Sequence, residues 1–285
     1  MAHSVKEEPR SAKRKEFGLL RGGEGPLNVL TEALGLGKRE LISLVGAGGK
    51  TSLMFRLAKE MVDQGKRVIT TTTTRILEPT PEQSPCLFVE PQDEKIGLFI
   101  DGHLSSCRHI TIARERIESK LKGISSESVA ALWRKEEVEC LIVEADGAAG
   151  YSVKAPRSGE PVIPPDTTLV AALLGVDGMN TELREESVFR PERISFLTGI
   201  PFGGRITDEA MAILASHPEG IFKGAPTRSR VVVFLNKVDT PNGMEKARQI
   251  ARRILDKRHP QIERIVLGQL RRNPPVTEVM VAQSL

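Results

Sequence analysis

Apolar residues recur along the chain in short runs closed by Gly, Asp, Thr or Pro, and most runs are followed by stretches whose apolar positions return every three or four residues. Continuous runs read as strands buried on both faces, and the three-to-four period reads as amphipathic helix. Alternating the two is the rhythm of an α/β protein, a mostly parallel sheet with helices on both faces. The pattern predicts central strands at Leu41–Val45, Val68–Thr72, Cys140–Ala145, Leu169–Leu174, Val231–Leu235 and Ile262–Leu267. It predicts helices near Ser52–Gln64, Ser126–Glu136, Pro191–Leu197, Asp208–Ser216 and Met244–Arg258.

Three segments break the rhythm. Residues 1–25 carry Lys13-Arg14-Lys15 and Gly22-Gly23 but few apolar side chains, so a mobile tail is expected, followed by one domain over residues 26–285. Leu27, Leu30 and Leu34 give a short amphipathic segment that Gly35 and Gly37 close. Between residues 79 and 124 the runs shorten, as in Leu87–Val89 and His109–Ala113, which fits either an antiparallel insertion or extra edge strands. The stretch Ser152–Asp166 holds Pro156, Pro161, Pro164 and Pro165 and reads as a loop.

Composition narrows the classes. With 285 residues, a net charge of +4 and only 4% aromatic residues, the chain has neither the charge excess nor the stacking surfaces of a nucleic-acid binder. No run approaches the length of a membrane span, and the first 21 residues have no apolar core of a signal peptide, so a cytoplasmic protein with no membrane partner is expected. Cys86, Cys107 and Cys140 are too few and too scattered for a disulfide framework or a zinc site, and His103, Cys107 and His109 match no compact metal spacing.

The chemistry concentrates at strand ends. Leu41–Val45 runs into Gly46-Ala47-Gly48-Gly49-Lys50-Thr51-Ser52, the strand–glycine turn–helix layout of a phosphate-binding loop. Here glycines allow backbone N–H groups to turn toward phosphate, Lys50 reaches the β- and γ-phosphates, and Thr51 can ligate Mg²⁺. The loop is shorter than the usual form, because the position of its first glycine is Leu44. A second strand ends in Asn236-Lys237-Val238-Asp239, an N-K-x-D tetrapeptide whose aspartate can accept the two guanine N–H groups that adenine lacks. GTP is therefore expected ahead of ATP. A third strand ends in Glu144-Ala145-Asp146, with both acids on one strand face. Asp146 suits Mg²⁺, while Glu144 either orients an attacking water or holds a loop. The run Thr70–Thr74 followed by Arg75 is either plain β-propensity or a hydroxyl-rich loop that sets Arg75 beside the transferred phosphoryl.

Together with K-A-P-R-S-G-E-P from Lys154 to Pro161, these blocks make the chain, from about Leu27 to Leu270, resemble the YqeC family. Its members are described as accessory proteins of selenium-dependent molybdenum hydroxylases. The resemblance implies a P-loop NTPase-like fold and a role in selenium cofactor biosynthesis, with a molybdenum hydroxylase or its molybdopterin cofactor as partner. Where the family is expected to carry His-Arg, this chain has Phe189-Arg190. The proline-framed loop has no counterpart in small GTPases, so Lys154, Arg157 and Glu160 are assigned to an anionic partner group rather than to nucleotide. Two readings follow: a Mg²⁺-dependent GTPase, or a nucleotide-gated chaperone without turnover. A weaker third is an ATP-dependent ligase of the Mur type, which uses a similarly shortened loop.

Overall fold

The computed structural model describes residues 15–20 and 29–284. In chain order the elements are β1 (Lys15–Leu20), α1 (Leu30–Ala33), β2 (Glu40–Gly46), α2 (Lys50–Asp63), β3 (Val68–Thr72), β4 (Arg75–Leu77), β5 (Leu87–Val89), α3 (Asp93–Cys107), β6 (His109–Ala113), β7 (Glu115–Ile117) and β8 (Lys120–Lys122). They continue with α4 (Ser126–Trp133), β9 (Cys140–Glu144), β10 (Leu169–Gly175), α5 (Pro191–Thr198), α6 (Asp208–Ser216), β11 (Arg230–Asn236), α7 (Gly243–Lys257), β12 (Ile262–Gly268) and β13 (Val276–Ser284).

Ten strands form one sheet in the order β1-β13-β12-β11-β10-β2-β9-β3-β6-β5. From β12 to β5 every pairing is parallel; only β13 and β1 run antiparallel to their neighbours. The fold class is the α/β one expected, and each of the six expected strands is present with its ends moved by at most one residue.

Strand alternation sorts side chains between two layers of helices. Along β11, Val231, Val233 and Leu235 enter a core that includes Ala212 of α6 and Ile250 and Ile254 of α7. Val232 and Phe234 point the other way, into a core with Leu30 of α1 and Leu53 and Leu57 of α2. A third cluster sets Ile69, Ile110, Leu141 and Val143 against α3 and α4. Helix ends follow ordinary capping rules: Ser125 and Thr207 cap α4 and α6 by accepting the N–H of Ser128 and Ala210.

Three local expectations change. Lys15–Leu20, read as part of a mobile tail, pairs in register with β13 from Lys15↔Ser284 to Leu20↔Val279, a partner no local pattern reveals. The rest of that tail and Leu27 lie outside the described residues. Residues 79–124 are both things at once: β5 and β6 extend the parallel sheet with α3 crossing between them, while β7 and β8 join β4 in a separate antiparallel sheet ordered β4-β8-β7. This small sheet is held tightly over the end of β3, because a Cβ on Gly123 would stand 1.6 Å from the carbonyl oxygen of Thr72, an approach only glycine permits.

Helix α3 escaped the sequence pattern because Gly97 and Gly102 interrupt it, yet Ile96, Ile100 and Leu104 recur at helical spacing and are its buried stripe. Ile100→Ala should therefore lower the unfolding free energy by about 2–5 kcal/mol. Leu98→Ala, on the face that leaves Leu98 72% exposed, should change it by less than about 0.5 kcal/mol, as measured by urea denaturation.

Candidate functional site

The chain leaves β2 toward β9 and β3 on one side and later returns to β10 on the other. That reversal opens a crevice at the carboxyl end of β2, the place where open α/β sheets receive ligands. Gly46 ends the strand, and the turn through Ala47, Gly48 and Gly49 delivers Lys50 as the first residue of α2. Gly48, at φ +85°, lies so close to β10 that a Cβ would be 2.5 Å from the Gly175 nitrogen. The N–H groups of Ala47 and Gly48 do not turn toward a ligand as the sequence suggested: they donate to the carbonyls of Leu173 and Tyr151, both at 2.9 Å. What remains for an anion is the first turn of α2, whose N-terminus has no side-chain cap.

Lys50 is buried and folded back. Its Nζ donates to the Gly46 carbonyl at 2.6 Å and lies 3.2 Å from Asp146 Oδ1 and 3.8 Å from Glu144 Oε1. Asp146 is fully buried, and its Oδ2 accepts the Gly46 N–H at 3.1 Å and Lys154 Nζ at 2.8 Å. Asp146 Oδ1 accepts no hydrogen bond despite the nearby lysine. Glu144 takes a different part: its Oε2 accepts the Thr51 hydroxyl at 2.8 Å. Burial pushes the Glu144 carboxyl up, against the pull of Lys50 and the Thr51 hydrogen bond. The strand-end acids thus converge as expected, but the one on the Thr51 hydroxyl is Glu144.

The proline-framed loop is the main correction. Lys154, assigned to a partner surface, has no exposure at all: its Nζ donates to Asp146 and to the Gly147 carbonyl at 2.7 Å, and stands 3.5 Å from Glu160 Oε2. Burial lowers its pKa, against the opposing charge of Asp146. Glu160 is a hub, receiving Arg190 through paired bonds of 2.6 and 3.0 Å and Arg157 at 3.0 Å. Burial works to raise its carboxyl, but the Arg190 hydrogen bond and the surrounding cations hold it below the ordinary glutamate value. Arg190 itself, at φ +64° and with its guanidinium over the Phe189 ring, stands out in the sequence only as part of the Phe189-Arg190 departure, with no site role assigned to it there.

The N-K-x-D block reaches the same crevice from 188 residues away. Asn236 Nδ2 donates to the Gly48 carbonyl at 2.6 Å and its Oδ1 accepts the Leu270 N–H at 2.9 Å, tying the glycine turn to the loop after β12. Lys237 Nζ donates to Ser152 Oγ at 2.6 Å and to Asp177 Oδ2 at 2.8 Å, and Asp177 is a second site residue the sequence did not announce. Asp239 lies at the crevice with Arg272 3.3 Å away. Of the threonine run, Thr70, Thr71 and Thr72 are buried and bonded within the sheet, Thr72 to the Glu144 carbonyl, so only Thr73 and Thr74 line the crevice. Arg75 opens β4, exposed and facing the same cavity. His109 turns inward to Thr70, and burial lowers its pKa to about 4; His103 stacks on Phe99 instead.

One cavity of about 1650 Å³ is lined by Lys50, Thr51, Glu144, Arg157, Glu160 and Asp239, with Asp146 and Lys154 buried behind its wall. The donor set fits Mg²⁺: a threonine hydroxyl backed by one carboxylate, and a buried Asp146 oxygen that accepts no hydrogen bond. Among the described residues no three His, Cys, Asp or Glu side chains are set to hold a metal alone, so the remaining ligands would be phosphate oxygens and water, the usual manner of Mg²⁺. Among the described residues no helix is long and apolar enough to cross a membrane.

Comparison with known proteins gives one relation by sequence and a weaker one by shape. The family model described as "YqeC protein" matches residues 42–192. The uncharacterized protein YqeC of Escherichia coli K12 is 31% identical over 249 residues, covering 87% of this chain and 94% of its own. Among solved structures, FtsY from Mycoplasma mycoides aligns at TM-score 0.39 and 11% identity, covering 81% of this chain and 61% of its own. The signal recognition particle 54 kDa protein of Aeropyrum pernix K1, solved in complex with GDP, aligns at TM-score 0.35 and 14% identity, covering 81% of this chain and 42% of its own.

Because Lys154 is the buried counter-ion of Asp146, Lys154→Met should cost about 3–5 kcal/mol of stability. Adding Asp146→Asn should recover part of that loss, a non-additivity that a double-mutant cycle in urea measures. Additive losses would show that the two side chains are not coupled.

Proposed function

The chain belongs to the YqeC family, and from that premise we propose that it binds GTP with Mg²⁺ and hydrolyses it in maturing the cofactor of a selenium-dependent molybdenum hydroxylase. One observation carries the nucleotide part: the uncapped start of α2 and the N-K-x-D aspartate open into the same cavity. The accessory role rests on family membership, and the hydroxylase or its molybdopterin cofactor is the partner it calls for.

In this reading the first-turn N–H groups of α2 and the Lys50 ammonium bind the β- and γ-phosphates, while Asn236 holds the glycine turn in place. Mg²⁺, held through Thr51 with Glu144 and Asp146 behind it, would neutralise charge on the phosphate oxygens. Asp239 accepts from guanine, and Arg75 serves the transferred phosphoryl from across the cavity. Glu160 and Arg190 fix the loop that walls the site, so Lys154 and Arg157 act on nucleotide geometry rather than on a remote partner surface. One observation favours the nucleotide-gated chaperone instead: Glu144 is buried with its Oε2 engaged by Thr51, so only Oε1, 3.8 Å from Lys50 Nζ, is left to orient a water. Turnover of GTP, measured alone and with a hydroxylase, separates the two.

Titration with Mg²⁺ present should give GTP an affinity about a hundredfold or more above ATP, since a base-reading carboxylate left unpaired by adenine costs a few kcal/mol. Asp239→Asn should move the preference toward xanthine nucleotides, and equal affinity for GTP and ATP in the unmodified protein refutes the assignment. Lys50→Ala should weaken nucleotide binding at least about a hundredfold with the circular dichroism spectrum unchanged, because Glu144, its carboxyl already pushed up, can take a proton in place of its lost partner.

A further inference from the structure

The cavity is larger than a nucleotide requires. Ligand sites ordinarily enclose roughly 300–1,000 Å³, and this one encloses about 1650 Å³. Its charge is also unevenly spent. Nine Lys or Arg side chains and four acids line it, and the four acids, Glu144, Glu160, Asp177 and Asp239, each already face a cation near the phosphate loop or the N-K-x-D end. Another part of the wall is the small antiparallel sheet. There Arg75 stands directly across from Lys122 in strand register, and Lys120 follows on the same face two residues away. Like charges placed opposite one another destabilise a strand pair unless an anion lies between them. Lys122 has Glu115 at 3.4 Å, whereas Arg75 and Lys120 make no ion pair among the described residues. Leu77, paired with Lys120 and 61% exposed, supplies an apolar patch to the same wall. The sheet cannot draw back from the strand ends, since Gly123 is pressed against Thr72 and its N–H donates to the Thr74 carbonyl at 2.9 Å.

We infer that this wall is a second binding site, for a phosphate-bearing organic small molecule held by Lys120 and Lys122 with its carbon skeleton on Leu77, in the same cavity as the nucleotide, with Arg75 shared between this ligand and the transferred phosphoryl. The inference deepens the nucleotide-binding reading by naming the class of substrate that meets the nucleotide. A ligand of that class has the charge to separate Arg75 from Lys122 and the apolar body to cover Leu77. What distinguishes the wall from an open nucleic-acid surface is that its cations line the same cavity as the phosphate loop and the proline-framed loop.

Inorganic pyrophosphate is the probe, titrated calorimetrically into the full chain. In Lys50→Ala, where the phosphate loop is disabled, pyrophosphate binding should persist, and adding Lys120→Ala with Lys122→Ala should weaken it at least tenfold. In unmodified protein saturated with Mg²⁺ and a non-hydrolysable GTP analogue, pyrophosphate should still bind without displacing the analogue. Loss of pyrophosphate binding on Lys50→Ala alone, or indifference to the two lysine substitutions, overturns the inference. So does binding of single-stranded RNA that the lysine pair abolishes while pyrophosphate does not bind, which would make the wall a nucleic-acid surface. Failure of any nucleotide to bind the unmodified protein defeats the proposed function, yet the Lys50→Ala arm still decides this second site.

Discussion

Asp146 sits out of reach of water and has two lysines to neutralise. Lys50 lies 3.2 Å from one of its oxygens and Lys154 2.8 Å from the other, while the Gly46 N–H fixes the second oxygen from the strand end. Desolvating ions costs several kcal/mol each unless partners replace the lost water, and here each lysine also finds a backbone carbonyl. From this centre charges of alternating sign continue through Glu160, 3.5 Å from Lys154, to Arg190 at 2.6 Å. The phosphate loop and the proline-framed loop are therefore one electrostatic object.

The sheet makes this centre possible. Parallel strands end together, so β2, β9, β10 and β11 bring glycine turn, acids, Asp177 and the N-K-x-D block to one edge although they come from distant parts of the chain. Backbone bonds then lock the edge: Ala47 to Leu173, Gly48 to Tyr151, Gly175 to Ser152. Asn236 completes the frame, spending its side-chain amide on the Gly48 carbonyl and the Leu270 N–H. It acts as a strut for the turn and makes no claim on a base.

What the sequence disclosed was whatever depends on local periodicity. Runs such as Val231–Leu235 are short, rich in β-branched residues and closed by turn residues, so the strands and their chemical ends were legible together. What it hid depends on partners remote in the chain. Strand β1 is defined by β13, at the other end of the protein, and α3 carries glycines that blur its stripe. At the site, Lys154 and Arg157 are close in sequence and look alike, yet one is completely buried and the other exposed. Only the fold decides which lysine faces Asp146, and no spacing rule encodes that. Thr51 and Glu144 likewise meet across 93 residues, so which strand-end acid takes the Thr51 hydroxyl could not be read from the strand itself.

The folded-back Lys50 has a kinetic corollary. A cation already seated on a carbonyl and two acids projects little field into solvent, so the phosphate loop does little to attract an approaching polyanion. The long-range pull falls to exposed side chains at the rim, Arg75, Lys120 and Arg271, which make no ion pair among the described residues and stand in high-dielectric surroundings. In the proposed nucleotide complex, capture is thus governed by exposed charges that ordinary salt screens within about 8–10 Å, while retention is governed by buried ones that salt barely touches. The rate of arrival and the lifetime of the complex answer to different ends of the same cavity, and ionic strength tunes the first while leaving the second almost alone.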